Sequence, residues 1–188
     1  MARTPPVTRV LHVVWSLQSG GLETVVMNLM RRIDRRQFHM DILCQCDPPG
    51  LYADEARTLG VGVFTGPSVN HPLAFARRLS RLLDEHGPYA AVHLHLHHSA
   101  AIALPVCAAH GVAVRIVHSH NDLRRVRCGL GGMIRQPLCR WIINGLASHR
   151  VGVSRSAATS LYGDKALDSG GAEVVANVVP LDRFEQPY

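Results

Sequence analysis

The sequence predicts a doubly wound α/β domain, a mostly parallel sheet with helices on both faces, and three observations predict it. Short apolar runs rich in β-branched residues alternate with longer stretches whose apolar residues recur at helical spacing. Glycines such as Gly60, Gly66 and Gly111 punctuate the changeovers. The chain has 188 residues, 47% of them hydrophobic, which suffices for one core without disulfides or metal.

The first predicted strand, residues 10–15 (VLHVVW), stops at the loop from Ser16 to Gly21. Beyond it, Leu22, Val25, Val26, Leu29, Met30 and Ile33 fall on one face of a helix over 22–33, which places that face against a sheet. Further strands are expected at 39–44, 61–64, 90–95, 112–118, 150–153 and 173–176, with helices over 52–59, 72–86, 99–110, 133–147 and 155–162. Ser154 is positioned to cap the last of these helices. Residues 121–132, rich in Arg and Gly, read as a long loop over the site. Residues 1–177 read as one domain and 178–188 as the start of a linker.

The formal charge is +6, and all basic residues but Lys165 are Arg. That composition suits phosphate or carboxylate partners, which guanidinium groups grip in pairs of hydrogen bonds. It is also common in chains with GC-rich coding. Arg31-Arg32, Arg35-Arg36, Arg77-Arg78 and Arg124-Arg125-Arg127 face anionic lipid headgroups or a pyrophosphate-linked acceptor, or are solvated helix ends, and nucleic acid is not an expected partner. Five cysteines with no C-x-x-C pair indicate neither a disulfide framework nor a zinc knuckle, and fit a reducing cytoplasm. No signal peptide or spanning helix is expected.

In such a sheet, ligands bind where strands meet helix N-termini. Gly20 and Gly21 lie at the first such junction, where bare backbone and unpaired helix amides can meet an anion or sugar. Neither the G-x-G-x-x-G dinucleotide fingerprint nor the phosphate-binding G-x-x-x-x-G-K-[ST] occurs, and a purely structural turn is the competing reading. Glu23 either reaches a hydroxyl or complements the helix dipole. His93, His95 and His97 share strand parity, as do His118 and His120. The first three have no carboxylate or cysteine nearby, so no metal is expected; His95 or His97 is expected to line a polar cleft and His93 to pack within the sheet. His120 is the stronger candidate for a sugar hydroxyl or phosphate oxygen. Neither Ser154 nor Ser156 sits in a nucleophile elbow.

The segments LHVVWSLQSGGLETVVMNL, AAVHLHLHHSA, RIVHSHND, HRVGVSRSAATSLYG and ANVVPLDRF, in this order, resemble family 4 glycosyltransferases, and are similar to those of exopolysaccharide and capsule synthesis. The resemblance runs from Arg9 to Phe184. It implies the N-terminal half of a GT-B fold, two Rossmann-like domains facing across a cleft, with this half binding a sugar or lipid-linked acceptor. The other half would bind a nucleotide-diphosphate sugar, and transfer would retain anomeric configuration with no metal or other cofactor. Carried over by position, His120 approaches the transferred sugar; Gly20 and Gly21 match the glycine loop near the donor diphosphate and the acceptor; and His95 and Asn121 border the acceptor pocket. Ser154 and Arg155 match a segment facing the cleft, and Asn177 matches the asparagine of the hinge turn.

Val178 and Pro180 depart from that turn, where similar enzymes carry glycine and aspartate. The basic pair and the two glutamates spaced for a donor diphosphate belong to a C-terminal domain that this sequence lacks, so the chain by itself is expected to be inactive and to need that domain in cis or trans. Peripheral association with the inner face of the plasma membrane is a further expectation, from the Arg clusters and from the lipid-linked acceptors common in similar enzymes. The alternatives are a stand-alone binding or regulatory module and a nicotinamide-dependent oxidoreductase, the latter opposed by the missing dinucleotide fingerprint.

Overall fold

The computed structural model describes residues 7–122 and 130–177. Strands β1 (Thr8–Val14), β2 (Phe38–Cys44), β3 (Gly62–Thr65), β4 (Ala91–Leu94), β5 (Val114–Ser119), β6 (His149–Gly152) and β7 (Glu173–Val174) form one sheet ordered 3-2-1-4-5-6-7. Every pairing is parallel. Helices α1 (Gly21–Arg32), α2 (Ala53–Thr58), α3 (Pro72–His86), α4 (Ala100–Ala109), α5 (Leu130–Leu146), α6 (Arg155–Tyr162) and α7 (Asp164–Asp168) connect them. The chain winds outward from β1 to β3, returns beside β1 as β4, and winds outward the other way. Connections leaving β1 and β4 therefore diverge and open a crevice at the strands' C-terminal ends.

Alternation along each strand supplies two cores. Leu11, Val13, Leu43, Val92, Leu94 and Val117 pack with α3, α4, α5 and α6, and Val14, Met40, Ile42 and Cys44 pack with α1 and α2 on the opposite face. Phe75, Leu79 and Leu82 of α3 are fully buried, each contributing about 1.5–3 kcal/mol. Pro72 opens that helix, where its missing N–H costs nothing.

Helix α1 is rotated from its expected setting. Val26, Met27 and Met30 are buried, while Leu29, expected on the inner face, is 40% exposed. The flexible thioether of Met27 fills the position instead. Helix α5 begins at Leu130, inside the expected loop, whose remainder at 123–129 lies outside the described residues. The short helix α7 was not expected.

Two glycines permit close approach. Gly50 has φ +125°, and a side chain there would collide with the Leu17 carbonyl group. That contact holds the loop after β1: the Leu17 N–H donates to Pro49 O at 2.6 Å and its carbonyl accepts from Tyr52 N–H at 2.9 Å. A Cβ on Gly152 would stand 2.7 Å from the backbone nitrogen of Ala158, so glycine lets α6 close against β6. Ser154 caps α6 as expected, accepting the Ala157 N–H at 3.1 Å.

Away from the crevice, the buried Asp41 carboxylate accepts from Arg9 at 2.7 Å, Tyr89 OH at 2.7 Å and the Gly62 N–H at 3.1 Å. Several clustered arginines are likewise engaged within the fold. Arg31 holds Glu55 with two bonds of 2.6 and 2.8 Å, Arg35 donates to the Met30 and Leu59 carbonyls, and Arg78 donates to Thr65 O. Arg124, Arg125 and Arg127 lie outside the described residues. Among the described residues, no helix is long and apolar enough to cross a membrane.

Candidate functional site

A cavity of about 380 Å³ opens at the crevice. Helix α1 delivers its N-terminus to it through Gly21, Leu22 and Glu23, whose amides precede the first intrahelical bonds. Gly20 is the N-cap, in extended backbone open to any residue; the Glu23 carboxylate folds back over the place a Gly20 side chain would take. A Cβ on Gly21 would meet nothing within 4 Å, so this residue faces open space. The opening keeps backbone accessible at a helix end that favours negative charge.

The opposite wall is built of histidine. Parallel register places His12 of β1 beside His93 of β4, and strand parity carries His95, His118 and His120 to the same face. His12 Nδ1 lies 3.2 Å from His95 Nε2, His95 Nδ1 lies 2.8 Å from His120 Nε2, and His93 Nε2 lies 3.2 Å from His118 Nδ1. In each pair one ring donates and the other accepts. The rings also pack together, with centroids 4.2 Å apart in the stacked pair His93–His95 and in the tilted pair His118–His120.

Burial strips water from the charged forms, so these imidazoles are held neutral. Burial and the neighbouring His118 push His12 down to about 4; burial alone does the same for His118; burial and His118 push His120 to about 3. His93 and His95 lie well below the ordinary imidazole value, through burial first and neighbouring histidines second. Neutral rings both donate and accept, the requirement for holding hydroxyl groups.

His97 leaves the strand. Its φ of 49° is uncommon for a residue with a side chain, and it turns the chain from β4 into α4. Its ring sits 2.9 Å from His98 and lines the cavity, so it does not join the face shared by His93 and His95.

Of the residues singled out in the sequence, Gly21, His95, His120, Asn121 and Asn177 meet around this cavity. Ser154 and Arg155 are not among its lining residues: Ser154 caps α6, and Arg155 reaches Asp168 at 2.8 Å on the surface. His12 was not anticipated. Its signal is parity with His93, legible only once β1 and β4 are known to be neighbours. A second, mostly apolar cavity of about 350 Å³ adjoins the first, lined by Val25, Leu29 and Val175 with His12, His93 and Asn177.

A parallel sheet wound in this order, with a polar crevice where its winding reverses, defines a Rossmann-like ligand-binding domain. Comparison with known proteins gives its lineage. The chain belongs to Glycosyltransferase Family 4, whose family model matches residues 19–183. It is 30% identical over 178 residues to "Putative glycosyltransferase EpsF" of Bacillus subtilis (strain 168), a match covering 94% of this chain and 46% of that protein. The fold is similar to that of Anabaena Alr3699/HepE, solved in complex with UDP, with TM-score 0.68, 15% identity, and coverage of 96% of this chain and 47% of the other. It is also similar to the lipopolysaccharide outer core galactosyltransferase WaaB, with TM-score 0.63, 16% identity, and coverage of 93% and 47%. The chain thus spans about half the length of the relatives it matches, and it is a glycosyltransferase N-terminal domain.

Proposed function

We propose that this domain forms the acceptor side of a retaining glycosyltransferase that uses a nucleotide-diphosphate sugar and builds polysaccharide or glycolipid. The observation that carries this reading is the meeting of His120, His95, Asn121 and Asn177 with the α1 N-terminus around one cavity. The acceptor is a sugar or lipid-linked sugar whose attacking hydroxyl bonds to neutral imidazole at the strand mouths. His120 approaches the transferred sugar. Glu23, Gly21 and the first amides of α1 lie on the side from which the donor diphosphate enters.

Transfer then follows front-face attack of the acceptor hydroxyl on the anomeric carbon, as the bond to the leaving diphosphate breaks and its charge is stabilised electrostatically. Most of that stabilisation comes from a C-terminal domain beyond the present chain, and the reaction itself uses no metal or other cofactor. The fuller protein works at the cytoplasmic membrane face, where lipid-linked acceptors reside.

The test joins this chain to a family C-terminal domain and measures nucleoside diphosphate released from a panel of sugar nucleotides. Acceptor-dependent release, reduced about a hundredfold by His120→Ala, is expected. No release with any donor would overturn the proposal.

A further inference from the structure

We propose that His95, His118 and His120 form a binding site for a divalent transition ion of the zinc class, with its remaining coordination position open to the cavity. One nitrogen from each of the three rings comes within 4.8 Å of the others. Tetrahedral zinc with bonds of about 2.0–2.1 Å to nitrogen sets its ligand atoms roughly 3.3 Å apart, so closure needs small ring movements. The ligands come from the ends of two adjacent strands, whereas the His93, His95 and His97 run on its own offered a single element.

The cavity favours this triad over the neighbouring one of His12, His93 and His95, because all three of its rings line the opening beside the α1 N-terminus while His12 and His93 do not. Metal-binding imidazoles use one nitrogen for the ion and donate the other N–H to a fixed acceptor. Here His95 Nε2 faces His12 Nδ1, and His118 Nδ1 faces His93 Nε2, so His12 and His93 supply those acceptors. That leaves His95 Nδ1 and His118 Nε2 for the ion. His118 is only 7% exposed, and its Nε2 has no hydrogen-bond partner among the described residues. His120 Nε2 already lies 2.8 Å from His95 Nδ1, and an ion entering between them replaces the shared proton, which moves to another ring nitrogen. The cavity of about 380 Å³ admits the ion with a coordinated water. Three imidazoles suit zinc, cobalt, nickel or copper, and exclude magnesium and calcium, which require oxygen ligands. The site shares His95 and His120 with the proposed sugar contacts, so an ion held there and an acceptor hydroxyl exclude one another.

Cobalt(II) titrated into the tag-free chain reads the site through its visible ligand-field bands. The expected result is one equivalent bound with the intense bands of four-coordinate cobalt, displaced by zinc. His120→Ala, which removes a half-buried ring at the strand mouth, should weaken binding by at least about tenfold, and His118→Asn likewise. His149→Ala, on an exposed ring remote from the cavity, should bind as the parent does. Circular dichroism verifies that each variant is folded, and a zinc-induced rise in the parent's melting temperature provides a second readout. Absence of the bands and of that rise, bands unchanged in His120→Ala, or bands lost in His149→Ala would each overturn the proposal.

Discussion

His95 Nδ1 lies 2.8 Å from His120 Nε2, joining two strand ends through one shared proton at the wall of the cavity. The bond orients His120, whose Nδ1 has no hydrogen-bond partner among the described residues, and His12 extends the contact into the sheet through the far nitrogen of His95. In the chain completed with a C-terminal domain, His95→Ala should therefore lower kcat by about tenfold, less than the loss from His120→Ala. Equal kcat in His95→Ala and the parent would show that His120 does not depend on this neighbour.

The same burial makes the fold sensitive to acid. His12 and His118 are held at about 4 in the folded chain, against an ordinary value of 6.5 when exposed. Between those limits the unfolded chain binds more protons, so stability is fully present above pH 6.5 and is lost as pH falls toward 4. Urea unfolding across that window should show stability falling by roughly 1 kcal/mol per pH unit for each imidazole. His12→Asn should flatten the slope; a parent chain equally stable at both ends of the window would contradict the burial described.

Gly50→Ala should destabilise the domain by about 1–3 kcal/mol, since the side chain meets the Leu17 backbone at a positive φ. Chemical denaturation measures it. Gly21→Ala is the comparison, because its added methyl meets nothing within 4 Å and should leave stability within about 1 kcal/mol of the parent.

Asp41→Ala should cost about 2–3 kcal/mol, because Tyr89 and the Gly62 amide lose a buried acceptor. Tyr89→Phe removes only one donor and should cost about 1 kcal/mol. Thermal unfolding distinguishes the two, and an Asp41→Ala loss no greater than that of Tyr89→Phe would mean the carboxylate is not the hub of this cluster.

The elements were legible because their signals are local. Pro72 and the spacing of Phe75, Leu79 and Leu82 define α3, and Ser154 marks the start of α6. The rotation of α1 was not legible, since Leu29 and Met27 are both apolar and only packing on β2 and α2 decides which is buried. The cavity was half legible. His95 and His120 follow directly from strand ends and Asn121 from the family resemblance, whereas His12 enters through the order of strands in space, which local pattern does not encode. Arg155 matched the family segment by position, but its partner Asp168 lies on α7, a helix without a clear periodic signal.

The assignment of the acceptor side to this domain is tested most directly by separating the two Michaelis constants in the completed enzyme. Asn121→Ala, at the cavity edge, should raise KM for the acceptor by about tenfold and leave KM for the sugar nucleotide within about twofold. A rise in the sugar-nucleotide KM with the acceptor KM unchanged would contradict the account.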